Sequence, residues 1–338
     1  MISKLIGKNL PDYTYSVPGM LFYFLDPSHT ALGFKAHAAC FNKKDLEVDL
    51  KGRSILVAGG NAGIGRSAAQ SLAERGATVH IVCRSREKGE QAVADIKTAT
   101  GNDDVYLHVV DLGSMGQVQA FTKTFAASGK PLHVLVNNAA TMQSTRTVTP
   151  EGIETAQATN LLGFYGLTRG LLPVLKQNAP ARIVNVVSAG MLASQFKLKG
   201  LTEEEKIEPY DGAAVYSLHH RARVMLTETW AEESKGSNLV VNCVHPGWVD
   251  TPLLRTAGPM EGFYKLMRGA LRTELQGADT IVWLAASQKG GESTGKYFFD
   301  RKARWKNLLF ANTKPEKKDY EDLVAFCEGK CPVWEGGK

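Results

Sequence analysis

The stretch Ser54 to Gly65, SILVAGGNAGIG, constrains the fold more than any other part of the chain. Ile55-Leu56-Val57-Ala58 is a short apolar run of the kind that fills a buried parallel strand. It breaks into a turn with Gly59, Gly60, Gly63 and Gly65, which also holds Asn61 and Ile64, and an Ala-rich helical segment follows from Arg66 to Arg75. A strand, a glycine turn and a helix N-terminus together make an anion site. Glycines let the backbone approach a pyrophosphate, and unpaired helix N–H groups point at it. The spacing through Gly59, Gly63 and Gly65 is G-x-x-x-G-x-G, and such a turn by itself is common. The strand before it and the helix after it carry the reading.

The rest of the pattern supplies the sheet. Apolar strand candidates occupy 54–58, 78–83, 105–110, 132–137, 182–187, 238–244 and 295–299. Helical stretches alternate with them near 64–75, 86–99, 114–128, 152–177, 213–235 and 274–287. This alternation predicts a doubly wound, Rossmann-type α/β fold with a seven-stranded parallel sheet, helices on both faces and ligand at the carboxyl ends of the strands. Three segments are expected: an N-terminal extension at 1–50, the nucleotide-binding domain at 51–300, and a C-terminal tail at 301–338.

The strand ends carry the specificity. The second candidate strand ends at Arg84, where an acid would hold the ribose hydroxyls of NAD; a base there suits a 2′-phosphate and favours NADP(H). Asp111-Leu112 ends the third strand, at the height of an adenine. Asn137-Asn138-Ala139-Ala140 ends the fourth, small and polar as a strand edge beside a ribose requires.

With AGGNAGIG, Asp111-Leu112, Asn137 to Ala140, Asn160, the strand ending in Ser188, Tyr216, and Pro246-Gly247 with Thr251 in this order, residues 51–300 resemble the short-chain dehydrogenases/reductases. The resemblance implies hydride transfer between a nicotinamide and a carbonyl or alcohol carbon. It makes Tyr216 the acid/base, Ser188 the hydroxyl that orients the substrate oxygen, and Asn160 the holder of a relay water. The implied cofactor contacts are Gly59, Asn61, Gly63, Ile64, Gly65, Arg84, Asp111, Leu112, Asn137, Ala139, Pro246, Gly247, Val249 and Thr251, together with Tyr216 and position 220. No metal is implied.

At position 220 the chain departs from the family. A lysine four residues after the tyrosine shares its helical face and lowers the phenol pKa from about 10. Here that residue is His220, which at its ordinary pKa is mostly neutral at pH 7. Arg223 lies two helical turns from Tyr216, and His219 and Arg221 point elsewhere, so none of them is expected to substitute. Ala58, Ala140 and Val187 are milder departures. Attenuated catalysis on a retained nucleotide fold is expected.

Apolar substrate contacts are expected from two irregular stretches. One is Met191 to Val215, through Met191, Leu192 and Phe196; the other is Pro252 to Ala270, a candidate lid. The substrate is thus read as a small lipophilic carbonyl or alcohol. The alternative is a non-catalytic NADP(H)-binding accessory subunit of a larger complex, conceivably at the mitochondrial membrane.

The modest net charge of +6, on scattered residues, gives no nucleic-acid footprint. An odd count of 5 cysteines and no N-x-[ST] site argue for an intracellular, reducing compartment, cytoplasmic or mitochondrial. The apolar peak Gly19 to Leu25 is too short to span a bilayer. Lys4 and Lys8, with no acid among the first eleven residues, leave a presequence open. The arm is read as packed on the body, with a peripheral membrane or protein-complex contact as the alternative.

Overall fold

All five residues of β1 (Ser54–Ala58) are buried, and their alternation feeds two cores. Leu56 and Ala58 pack on one face of the sheet, Ile55 and Val57 on the other. The structure, a computed structural model, describes residues 26–203, 208–308 and 311–331. The stretch Gly19 to Leu25 and the lysines Lys4 and Lys8 lie outside the described residues.

β2 (Thr78–Cys83), β3 (Val105–Val109), β4 (Val134–Asn137), β5 (Ala181–Val186), β6 (Leu239–Val244) and β7 (Tyr297–Phe299) run parallel to β1. The order is β3-β2-β1-β4-β5-β6-β7-β8. Chain order reverses between β1 and β4, paired in the register Leu56 with Leu135 and Ala58 with Asn137, and ligands bind at such switch points.

The sheet has eight strands rather than the expected seven. After left-handed turn residues at Asp300 and Arg301, β8 (Lys302–Arg304) pairs antiparallel with β7. Its three residues are exposed and carry two charges, so no apolar run announces it.

Helices cover both faces: α1 (Ala31–Ala38), α2 (Gly63–Ala73), α3 (Arg86–Thr100), α4 (Met115–Ala127), α5 (Phe164–Gln177), α6 (Gly212–Glu233), α7 (Pro252–Thr256), α8 (Glu261–Met267), α9 (Glu274–Ala286) and α10 (Lys317–Lys330). The single helix expected over 152–177 is interrupted by a π-turn, Ala158–Gly163, which holds Asn160. Most of these helices begin under a side-chain cap. Ser85 caps α3, Asp211 caps α6 and Thr273 closes a capping box on α9.

Residues 26–50 pack on the body. The ring of His29 stacks on Trp248 and lies against His245 and Phe299. Arg272, fully buried, is bidentate to Asp300 at 2.6 and 2.8 Å and donates to the carbonyls of Ser28, His29 and Pro246. The far end is bound as well: Leu323, Cys327 and Cys331 join the core beside α5 and α6. No helix among the described residues is long and apolar enough to cross a membrane.

The buried His29 and His80 and the half-buried His108 predict how the fold responds to acid. Burial holds His29, His80 and His108 at a pKa of about 4, below the usual 6.5. Each ring is neutral when folded and gains a proton on unfolding below pH 6.5. The stability they carry is therefore complete above that pH and is lost as the pH falls toward 4. At a pH of about 5 each ring costs roughly 2 kcal/mol, less than additively for the hydrogen-bonded pair His80 and His108. Urea midpoints should fall between neutral pH and pH about 5, and His29→Phe should shrink that fall. A midpoint that stays put over this range would contradict the account.

Candidate functional site

The β1–α2 turn is built around two close approaches. Gly59 and Gly63 have positive φ, at 74° and 58°. Gly65 abuts the carbonyl of Gly59 and the side chain of Asn138, so that a Cβ there would overlap both. Asn138 Nδ2 donates to that same carbonyl at 3.2 Å, tying the turn to the end of β4. Unlike α3, α6 and α9, helix α2 has Ala62 at its N-cap and so no side-chain cap. Its first N–H groups are left for a ligand, and the glycine cradle fits a pyrophosphate.

This turn opens onto a cleft of about 650 Å³ across the carboxyl ends of the strands. Of the expected cofactor contacts, Gly59, Asn61, Gly63, Ile64, Arg84, Asp111, Leu112, Ala139, Pro246, Gly247, Val249 and Thr251 line it. So do Ser188, Tyr216 and His220. Arg84 is exposed at the end of β2. Thr251 caps α7 at the opposite wall.

Three expected site residues lie elsewhere. Gly65 sits behind the turn, where its role is the close approach. Asn137 is beneath the floor: its Nδ2 donates to Thr168 at 3.0 Å and Asn185 at 2.9 Å, within a buried polar ladder that reaches Thr227. A small polar residue at a strand end fits a ribose edge and a buried ladder equally well, so sequence did not separate them. Asn160 is fully buried in the π-turn, and its side chain is cross-braced to the backbone of Thr141 at 2.7 and 2.8 Å.

The two apolar stretches also part ways. Met191, Leu192 and Phe196 are core residues, packed with α6 and the tail rather than on the cleft. Arg221 holds that segment by donating to the carbonyls of Met191 and Ser194. The second stretch does face the cleft, through Leu253, Leu254, Met260 and Phe263.

At the cleft, α6 presents Tyr216 and His220 on one face, ring centroids 4.2 Å apart. Burial pushes the phenol up to about 12, and the charge of Arg223 pulls it down. Burial, and then Arg223, hold His220 well below 6.5, so the imidazole is neutral. Both its ring nitrogens are buried and without a hydrogen-bond partner among the described residues.

Arg223 is the residue that sequence reasoning passed over. Its guanidinium donates to the carbonyls of Asn160 at 2.5 Å, Ala139 at 2.8 Å and Val186 at 3.2 Å. The signal was present: a seven-residue spacing keeps one helical face, and helical side chains lean back toward the N-terminus.

The chain is similar to known proteins in sequence and in fold. The profile of the family described as enoyl-(acyl carrier protein) reductase matches residues 58–291. The chain is 40% identical to dehydrogenase/reductase SDR family member 12 of Homo sapiens over 301 residues, 89% of this chain and 93% of that one. It is 36% identical to retinol dehydrogenase 11 of Homo sapiens over 258 residues, 76% of this chain and 80% of that one. Among solved structures, the RhlG/NADP active-site complex of Pseudomonas aeruginosa matches with a TM-score of 0.59 at 25% identity, covering 74% of this chain and 95% of that one.

The cradle yields a direct expectation. Gly65→Ala should lower dinucleotide affinity by about tenfold or more, because the turn must open to seat the methyl group. Gly101→Ala is the control: its φ is 67° and nothing lies within 4 Å, so it should cost about 1 kcal/mol of stability and leave binding alone. Calorimetric binding with parallel thermal melts checks both. Unchanged affinity in Gly65→Ala would remove the turn from the binding site.

Proposed function

The chain belongs to the short-chain dehydrogenase/reductase family, and from that premise we propose that it is an NADP(H)-dependent oxidoreductase that reduces a small lipophilic carbonyl compound. The observation that carries the reading is that the glycine cradle, Ser188 and Tyr216 line one cleft. Arg84 at the end of β2, where NAD would call for an acid, supports the choice of NADP(H). The apolar side chains of Leu253, Leu254, Met260 and Phe263 at the cleft, together with a relative named for retinol, support a lipophilic substrate.

NADPH, when bound, supplies the hydride. The α2 N-terminus and the glycine turn would hold the pyrophosphate, and Arg84 would pair with the 2′-phosphate. Tyr216 Oη donates a proton to the substrate oxygen, and Ser188 Oγ donates a hydrogen bond that orients it. His220 would offer a neutral ring N–H to a ribose hydroxyl. A phenol pushed up to about 12 stays protonated near neutral pH, the form that reduction uses. Alcohol oxidation needs the phenolate and is the handicapped direction. We place the protein in a reducing intracellular compartment, cytoplasmic or mitochondrial, on the support of five free cysteines.

The uncharged imidazole behind Tyr216 favours a second reading, an accessory subunit that holds NADP(H) without turning it over. One assay separates the two: NADPH oxidation across lipophilic aldehydes and ketones. Tyr216→Phe should cut kcat by about 100-fold or more while NADPH still binds. Arg84→Gln should weaken NADPH by about tenfold and leave NADH alone. Brisk alcohol oxidation by the wild type would contradict the direction assigned. Bound NADPH with no turnover of any substrate would favour the accessory subunit.

A further inference from the structure

Position 220 carries an uncharged ring, yet the site does contain a fixed positive charge. Arg223 is 1% exposed, and no carboxylate lies within ion-pair distance of it among the described residues. Its bonds are to three main-chain carbonyls, and its guanidinium lies over the ring of Phe164 at 4.8 Å. Carbonyl dipoles and a ring face stabilise a buried cation without cancelling its charge. The three carbonyls belong to the π-turn, the end of β5 and the segment after β4, and Ala139 and Val186 also line the cleft. The guanidinium is therefore fixed from three elements at the base of the site, on the helical face that presents Tyr216.

We propose that Arg223 is a positioning residue for the reaction, the fixed positive charge that lies on the same face of α6 as Tyr216 and faces the phenolate as it forms. This rests on the catalytic reading of Tyr216 given above. The carbonyl of Asn160 accepts from Arg223 and its side chain is paired with the backbone of Thr141, so the π-turn is braced to both. The influence is mutual. Arg223 lowers the phenol's pKa, and the phenolate in turn favours the charged guanidinium.

The other titratable groups around the phenol do not supply this charge. His219 and His220 on α6, and His245 after β6, are all held neutral by burial. Asp211 and Glu154, the nearby carboxylates, cap helix N-termini through the backbone N–H groups of Ala213, Ala214, Ala156 and Gln157.

The test is a titration of Tyr216 in the full chain without cofactor or substrate. A ring-fluorinated tyrosine placed at position 216, whose phenol is more acidic, is followed by fluorine NMR in wild type, Arg223→Gln, Arg223→Lys and His220→Gln. Arg223→Gln should raise the midpoint by about one pH unit or more, a tenfold loss of phenolate at fixed pH. Arg223→Lys keeps the charge and should stay within about half a unit of wild type. His220→Gln exchanges one neutral group for another and should leave the midpoint in place. Equal midpoints for wild type and Arg223→Gln would overturn the proposal. So would a rise of about one unit in His220→Gln, which needs no Arg223 variant to fold. The titration uses no turnover, so an inactive protein would defeat the catalytic reading without deciding this one.

Discussion

The contact at Gly65 governs the geometry of the cleft. The absence of a side chain there lets the first turn of α2 rest on the carbonyl of Gly59, and Asn138 ties that carbonyl to the end of β4. This one approach sets the height of the α2 N-terminus over the sheet. It also leaves the helix N–H groups facing the topological switch point, where the chain order reverses between β1 and β4. A cap on α2 of the kind found on α3, α6 and α9 would occupy those donors.

The opposite wall depends on long-range contacts. The segment His245 to Val249 is held by the residues that precede the nucleotide fold: Trp248 N donates to the carbonyl of His29, and Arg272 bridges Ser28, His29, Pro246 and Asp300. Gly247, with φ at 85°, packs directly on Arg272. The buried ion pair between Arg272 and Asp300 thus serves the cleft as well as the edge of the sheet. Removing either partner would strand a buried charge.

Those features were legible in proportion to how local they are. Buried parallel strands write themselves as apolar runs, and the glycine turn announces its own backbone conformation. β8 has no such signature, because its three exposed residues are paired, among the described residues, only by β7. Met191 and Leu192 are apolar in the same way as Leu253 and Leu254. Only the tertiary partners decide that the first pair fills the core and the second faces the cleft. Asn137 and Arg223 failed for related reasons. A polar side chain's role follows from which buried groups it must satisfy, and those groups come from distant strands and turns.

In the function proposed above, one cleft seats NADP(H) on the glycine cradle and brings Tyr216 and His220 to its nicotinamide end. A crystal structure of the full chain grown with NADP tests it most directly. The pyrophosphate should lie on the N-terminus of α2, the 2′-phosphate against Arg84, and a ribose hydroxyl within hydrogen-bond distance of a His220 ring nitrogen. A dinucleotide bound away from Gly59 to Gly65, or one whose adenosine ribose leaves Arg84 without a contact, would contradict the account.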